Sequence, residues 1–214
     1  MTIQVRKEFF MYQIFYKLDE EKQNRIINAG TNIFSVNDYK CASTDDIAAE
    51  AKIAKGSLFH YFKNKKSLFI FLYEYAMKIF EKKVYEKFNF DETDYFKMLR
   101  QSLNFTRDLL DKHPYLYKFV IKASYEKMPG IVESIKEVNK KIEEKMYKQM
   151  FEKIDLSKFK DGTDIEKLNK MISWCSEGIW NEGVKNHSSV SEMFEQALEI
   201  YDFYKNAVYK EEFL

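Results

Sequence analysis

The hydrophobic positions of the chain recur every three or four residues, the spacing that places them on one face of an α-helix. Helices are predicted to begin after Asp19 and after Ser43, and to span about 55–62, 65–88, 92–112, 114–127, 130–154, 164–186 and 190–210. Only 6 Gly and 2 Pro occur among 214 residues, far fewer turn residues than a β-sandwich needs. The pattern therefore predicts an all-α fold.

Polar residues mark the start of several of these helices. Asp19 precedes two glutamates, an N-cap followed by negative charges that the helix dipole favours. Ser43 stands three residues before Asp46, which is similar to a capping box. Asn64 is placed to cap the long helix that follows.

Residues 43–68 are predicted to form two short helices, joined by a tight turn at 52–54 and followed by the start of a long helix. The second half of this stretch carries the lysines Lys52, Lys55, Lys63, Lys65 and Lys66. No acidic residue occurs from Ala51 to Tyr73. A short helix with cationic and small polar residues near its start suits a DNA major groove and its flanking phosphates. The stretch is thus typical of a DNA-binding module.

The distribution of charge agrees with this interpretation, although the formal net charge is only +1. Residues 1–88 hold 15 Lys and Arg against 11 Asp and Glu, whereas the remainder holds 20 against 23. The excess of positive charge therefore lies in the half that contains the lysines. Taken by itself, a run of lysines also fits a solvated helix face.

Signatures of catalytic or metal chemistry are absent. His60, His113 and His187 lie far apart, and no HExxH, GxSxG, GxGxxG or P-loop motif occurs. Cys41 and Cys175 form no CxxC pair, which favours a reducing compartment. No apolar run approaches ~18 residues and no signal-peptide pattern is present. We expect a cytoplasmic protein that is not an enzyme and has no cofactor and no metal site, with a helical cofactor-binding enzyme as an alternative.

The N-terminal segment 4–17 is rich in aromatic residues. Its apolar residues follow roughly helical spacing: Val5, Phe9, Met11, Tyr12 and Phe15. We expect the segment to dock on the domain as a short helix. Insertion of Arg6 and Lys7 into a minor groove is the alternative.

Residues 25–68 resemble the N-terminal domain of TetR-family transcriptional repressors. The matching features are Arg25-Ile26-Ile27, Ile33-Phe34, Tyr39, Ser43-Thr44, Ile47-Ala48 and the run KGSLFHYFKNK from Lys55 to Lys65. The remainder of the chain matches that family only in length and helical character. The resemblance implies an N-terminal three-helix domain with a helix-turn-helix, which we place at 1–66, and a larger helical domain at 67–214 that binds an effector and dimerises.

Some positions depart from the usual pattern of the family. Lys52 replaces a turn glycine, at a cost of about 1 kcal/mol if its backbone is left-handed. Ala54 replaces the Ser or Thr that begins the recognition helix, where a missing cap costs about 1 kcal/mol. Phe59 lacks the hydroxyl of the usual tyrosine, and the charge of Asp45 would be repelled by a nearby phosphate.

The resemblance also implies which residues contact DNA. The expected contacts are Ser43 and Thr44 at phosphate or a base edge, Lys55, Gly56 and Ser57 in the major groove, and His60, Tyr61 and Lys65 on the backbone. Packing is the alternative role for Tyr61. A solvated side chain without a DNA contact is the alternative for His60 and Lys55. Since few of these groups read base edges, DNA shape is expected to contribute to specificity.

The last two predicted helices are apolar over a wide arc. Their apolar residues are Leu168, Met171, Ile172, Trp174, Cys175, Ile179 and Val184, then Val190, Met193, Phe194, Ala197, Ile200, Tyr201, Tyr204, Ala207 and Val208. A helix of this kind must bury more than one side. We expect a homodimer through these two helices, with Gly178 and Gly183 permitting close approach, as in the four-helix bundle of the family's dimer. A larger monomer core is the alternative.

By the same resemblance, the protein would be a repressor that a small apolar or amphipathic ligand releases from a palindromic operator. The residues expected to line an apolar effector pocket are Met98, Phe105, Tyr117, Phe119, Met128, Met146, Met171 and Trp174. Plain core packing is the alternative for such residues. A DNA-binding structural factor without an effector is the other functional alternative.

Overall fold

The computed structural model describes residues 12–112, 114–186 and 188–214, and most of these are helical. The helices are α1 (Gln13–Tyr16), α2 (Glu20–Val36), α3 (Thr44–Glu50), α4 (Lys55–Phe62), α5 (Lys65–Lys87), α6 (Tyr95–Lys112), α7 (Pro114–Ser124), α8 (Pro129–Phe151), α9 (Ile165–Asn186) and α10 (Val190–Val208). Short 3₁₀ turns follow α8 and α10, at Leu156–Lys158 and Glu211–Phe213. In the described ranges, β pairing is limited to an antiparallel bridge between Phe159 and Tyr209. The prediction of an all-α fold is confirmed.

The predicted helix starts are confirmed by their caps. Asp19 and Asn64 each accept a hydrogen bond from the backbone N–H three residues further on, at 2.8 Å. The Ser43 hydroxyl accepts from the N–H groups of Asp45 and Asp46, at 3.2 and 3.3 Å. These bonds satisfy N–H groups that have no partner within their own helix.

The chain forms two compact units. The first comprises the residues up to Glu86 together with Leu109–Glu144, and the second comprises Lys87–Asp108 together with Lys145–Leu214. All three boundaries between the units therefore fall near the end of a helix or within one, rather than in loops. The proposed division after residue 66 stays a prediction about the functional domains.

The core of the first unit is aromatic. α2 packs along α7, α3 packs on α2, and α4 packs on α3 and on α1. The fully buried side chains of Phe34, Phe62, Phe71, Leu72 and Phe119 lie in one continuous cluster with those of the helix-turn-helix. Gly30 permits one close approach, because a Cβ there would lie 2.5 Å from a methyl group of Leu72.

The part of the N-terminal aromatic segment that is described docks on this core, as expected. The rings of Tyr12 and Phe15 lie 4.7 and 4.8 Å from that of Phe71, and Phe15 also contacts Phe62 of α4. The Tyr12 hydroxyl donates to the carbonyl of Ser67 at 3.2 Å. Val5, Phe9, Met11 and the alternative minor-groove residues Arg6 and Lys7 lie outside the described residues.

The second unit is built on the packing of α9 against α10. Gly183 allows this contact, because a Cβ there would lie 2.3 Å from the sulfur of Met193. Near the other end of α10, Tyr209 packs its buried ring against Phe96 and Phe159 at 5.1 and 4.8 Å. The chain that follows α10 is thereby fixed to this unit.

Candidate nucleic-acid interface

α3 and α4 are joined by a turn with a left-handed residue. The backbone of Lys52 has φ of 56°, the conformation that favours glycine. The N–H of Ile53 returns to the carbonyl of Ala48 at 3.0 Å and closes the turn. Ala54 precedes α4 in an extended conformation and supplies no side-chain cap. The helix-turn-helix is therefore formed despite both departures, with the strain at Lys52 that its sequence implied.

α4 buries one face and exposes the other. Leu58 and Phe62 are buried in the aromatic core, whereas Lys55, Gly56 and His60 are exposed. A Cβ at Gly56 would meet nothing within 4 Å, so packing does not require glycine there. The missing side chain leaves room for a close approach from outside the protein.

Exposed lysines surround α4. Lys52 precedes it, Lys55 begins it, and Lys63 and Lys66 follow it, all with exposed side chains. Lys63 ends the helix with φ of 62°, a second positive value in a residue other than glycine. The local excess of cations at a helix start with an open face is the electrostatic pattern that polyanionic DNA requires.

Lys55 has a partner that we did not predict. Its Nζ donates to Oδ2 of Asp45 at 2.8 Å, so the first turns of α3 and α4 are joined by an ion pair. The spacing of the two residues in the sequence does not predict this contact, because the contact depends on the orientation that the turn gives α3 relative to α4. The predicted repulsion between Asp45 and DNA must therefore be considered together with the neighbouring Lys55 charge.

Lys65 is engaged within the protein. Its Nζ donates to the carbonyls of Lys40 and Ala42 at 3.1 and 2.6 Å, and it lies 4.8 Å from the ring centre of Tyr39. Desolvation by burial lowers the pKa of Lys65, and the nearby Cys41 and Glu126 partly oppose this. The ammonium holds the loop that leads into α3. Its predicted contact with phosphate stays a prediction.

The other predicted DNA contacts differ in exposure. Ser43 is occupied as the cap of α3, and Thr44 and Ser57 are partly exposed at the starts of α3 and α4. Tyr61 is only 8% exposed, and Nζ of Lys22 lies over its ring, 5.9 Å from the ring centre. Most of the Tyr61 side chain is therefore packed inside the protein. The contacts of all these residues with DNA stay predictions.

The loop between α2 and α3 is also held by a residue in the last turn of α7 and by another in the segment between α7 and α8. Oε2 of Glu126 accepts the backbone N–H of Tyr39 at 3.0 Å. Lys122 forms an ion pair with Asp38 at 3.1 Å. Burial, and secondarily the charge of Glu126, raises the pKa of the Tyr39 hydroxyl. The position of α3 therefore depends on residues far along the chain.

The residues predicted for an effector pocket occupy several different environments. In the first unit Phe119 is fully buried, Tyr117 is partly buried and Met128 is exposed. In the second unit Met98 is buried and Met146 is partly buried. Phe105 lines a cavity of about 290 Å³. Met171 and Trp174 line a separate open cleft of about 760 Å³, together with Cys175 and Tyr204. That these eight residues line one pocket stays a prediction.

Comparisons with known proteins agree with the geometry of α3 and α4. Residues 26–71 match the bacterial regulatory proteins of the tetR family, a match that contains the whole helix-turn-helix. The helix-turn-helix of this chain is therefore of the TetR type. A similar curated protein is the HTH-type transcriptional regulator HbdR of Aromatoleum sp. (strain CIB), 31% identical over 68 residues. That match covers 32% of this chain and 30% of HbdR, so it spans less than a third of that relative.

Solved structures extend the likeness beyond the helix-turn-helix, in fold only. A TetR family transcriptional regulator from Chloroflexus aurantiacus J-10-fl has a TM-score of 0.69 at 19% identity, over 93% of this chain and 98% of that one. The transcriptional regulator FadR from Bacillus subtilis, in complex with stearoyl-CoA, has a TM-score of 0.59 at 19% identity, over 83% and 96% of the two chains. The fold is thus shared across nearly the whole described chain.

The described residues lack a metal-binding cluster and a membrane-spanning helix. No three His, Cys, Asp or Glu side chains lie together as a metal site would require. No helix in those ranges combines the length and the apolar character needed to cross a bilayer.

Proposed function

We propose that this chain is a DNA-binding transcriptional regulator of the TetR family that acts as a repressor in the cytoplasm. The observation that carries the proposal is the start of α4, where Lys55 and Gly56 are exposed and Ser57 is partly exposed at the surface of a helix-turn-helix. This end of a recognition helix is the part that meets base edges in a major groove. The exposed lysines on both sides of α4 would neutralise flanking phosphates.

We further propose that the protein acts as a homodimer through α9 and α10. Trp174 and Phe203 are 59% and 67% exposed in the single chain, which is unusual for such large apolar side chains. Gly178 faces open space, so a partner helix could approach it closely. Two copies of α4 would then read the halves of a palindromic operator, about one helical turn or ~34 Å apart.

The proposed effector is a small apolar or amphipathic molecule. Support comes from the FadR structure from Bacillus subtilis, whose bound ligand is stearoyl-CoA. Methionine and aromatic residues in the second unit offer compatible surfaces. An effector that favours a dimer geometry with poorly spaced recognition helices would lower DNA affinity by linkage.

DNA binding is tested by titrating the purified protein onto the DNA upstream of its own gene and onto a scrambled duplex, at several salt concentrations. We expect preferential binding and a protected palindrome. Lys55→Ala should weaken operator binding roughly tenfold, because a lysine contact with a base contributes about that much discrimination. Lys78→Ala removes the same charge from an exposed position on α5 and should retain the preference. Failure of a folded, ligand-free dimer to bind any duplex at low salt would disprove the proposed function.

The dimer is tested with Phe203→Glu, measured by sedimentation equilibrium. We expect the variant to be monomeric, because a buried carboxylate in an apolar interface is strongly unfavourable. Leu156→Glu provides the control, since Leu156 is similarly exposed in the same unit but lies outside α9 and α10. A Phe203→Glu variant that stays dimeric would show that the interface lies elsewhere.

A further inference from the structure

Asp45 and Lys55 place a hydrogen-bond acceptor and a donor side by side at the exposed start of the helix-turn-helix. Oδ2 of Asp45 and Nζ of Lys55 are 2.8 Å apart. Their side chains are 64% and 49% exposed, so the pair stands on the surface and both groups have hydrogen-bonding capacity to spare. Because each residue lies in the first turn of its helix, the pair lies where α3 and α4 begin.

A G·C base pair presents the complementary arrangement in the major groove. Guanine offers O6 and N7 as acceptors, and cytosine offers its N4 amino group as a donor. Guanine O6 accepts a hydrogen bond from cytosine N4 within the base pair, so these two atoms lie about 2.9 Å apart. A neighbouring ammonium and carboxylate with similar spacing can therefore meet both bases at once.

We propose that Asp45 and Lys55 together read one G·C base pair in each half of the operator, an inference that rests on the proposed DNA-binding function. Nζ of Lys55 donates to guanine O6 and N7. Oδ2 of Asp45 accepts from cytosine N4. Lys55 also neutralises the carboxylate, which removes the repulsion between Asp45 and the nearby phosphates.

This pairing favours G·C over the other three arrangements of a base pair. C·G turns a donor toward Lys55 and acceptors toward Asp45, so both contacts are lost. A·T keeps adenine N7 as an acceptor for Lys55, but it turns adenine N6 toward the ammonium and thymine O4 toward the carboxylate. T·A keeps the order of the two central groups, with thymine O4 beside Lys55 and adenine N6 beside Asp45. It nevertheless replaces guanine N7 with the thymine methyl and brings the adenine N7 acceptor toward the carboxylate. The expected order of affinity at this position is G·C first and C·G last, with T·A and A·T between them.

The test measures binding of the dimer to the footprinted operator and to duplexes in which each base pair is replaced, in both half-sites, by the other three. For the wild type, one position should follow the expected order, with roughly a tenfold or larger loss for C·G. Asp45→Ala should reduce the difference between G·C and C·G at that position to about twofold or less, because a free lysine reaches guanine in either orientation. Preferences at the other positions should persist.

Asp46→Ala is the matched control. It removes the same charge from the same turn of α3, so it reproduces the change in overall electrostatic attraction and should keep the wild-type order of base pairs. Thermal unfolding of each variant verifies that it is folded. The proposal is overturned if Asp45→Ala keeps the wild-type order, or if it flattens preferences at every position together.

Different results would contradict the proposed DNA-binding function and the proposed reading of one G·C base pair by Asp45 and Lys55, called the reader below. A wild type that prefers its operator but shows no position with the expected order contradicts the reader alone. A folded wild-type dimer without preference among all duplexes contradicts the DNA-reading function, and the reader with it. A change common to Asp45→Ala and Asp46→Ala would assign the effect to charge and would also overturn the reader.

Discussion

Phe119→Ala is expected to lower the free energy of unfolding of the first unit by about 4 kcal/mol. Phe119 lies on α7 and is fully buried. Its ring packs against Phe34 of α2 at 5.9 Å and against Phe69 of α5 at 5.1 Å. Removal of the ring would lose its transfer free energy and leave a cavity among rigid aromatic neighbours that close it only in part.

The measurement is urea unfolding at a fixed protein concentration, because the stability of a dimer depends on concentration. Tyr115→Ala is the control on the same helix, since the Tyr115 side chain is exposed and should contribute less than about 1 kcal/mol. Equal losses for the two variants would contradict the assigned role of Phe119. Phe34 belongs to α2, on which α3 packs, so the Phe119→Ala variant should also bind operator DNA less tightly.

Local signals explain why the helices and the helix-turn-helix could be predicted from sequence. Asp19, Ser43 and Asn64 act through hydrogen bonds to residues within the next turn, so short stretches of sequence contain the whole interaction. The buried side of α4 likewise follows from spacing alone, because Leu58 and Phe62 are one helical turn apart. The resemblance to the TetR family rests on these same local features.

Contacts between distant residues explain what the sequence did not reveal. Lys65 shares its local surroundings with Lys63 and Lys66, yet only its ammonium is engaged by the carbonyls that precede α3. Glu126 reaches the N–H of Tyr39 from 87 positions away. Such contacts leave no periodic pattern, because they depend on the packed arrangement of several helices.

In the candidate DNA site, too, the local features could be predicted from sequence and the contacts between helices could not. The exposure of Lys55 and Gly56 follows from the helical period, whereas the contact of Lys55 with Asp45 depends on the turn at Lys52. From the sequence, the charge of Asp45 counted only against DNA binding. Its position beside Lys55 changes that interpretation, because the two charges act as one hydrogen-bonding surface.

Lys158→Met is expected to destabilise the second unit by about 3 kcal/mol at pH 7. Nζ of Lys158 lies 2.8 Å from Oδ2 of Asp94, and the two side chains are only 19% and 7% exposed. Asp94 also accepts the N–H of Lys97 at 3.0 Å at the start of α6. Methionine would fill much of the space of the lysine but would leave a buried carboxylate without its counter-ion.

The loss should depend on pH with a definite sign. Burial by itself would raise the pKa of Asp94, but the hydrogen bonds from Lys158 and Lys97 and the positive charges of Lys158 and Lys205 outweigh it and leave the pKa lowered. This stabilisation is complete above the unfolded pKa of about 3.9 and is lost as the pH falls through the lower folded value. Without Lys158 the pKa rises, so Asp94 takes up its proton at a higher pH and the buried charge disappears. The difference between wild type and Lys158→Met should therefore shrink from pH 7 toward pH 4.

Urea unfolding at several pH values tests this expectation, with Lys153→Met as the control. Lys153 pairs with Asp91, but both side chains are more than half exposed, and such pairs contribute about 0–1 kcal/mol. Adding Asp94→Asn to Lys158→Met should restore most of the lost stability, because asparagine keeps the helix cap and removes the unpaired charge. A Lys158→Met penalty that is unchanged at pH 4, or a double variant no more stable than the single one, would show that Lys158 stabilises the unit by packing rather than by its charge.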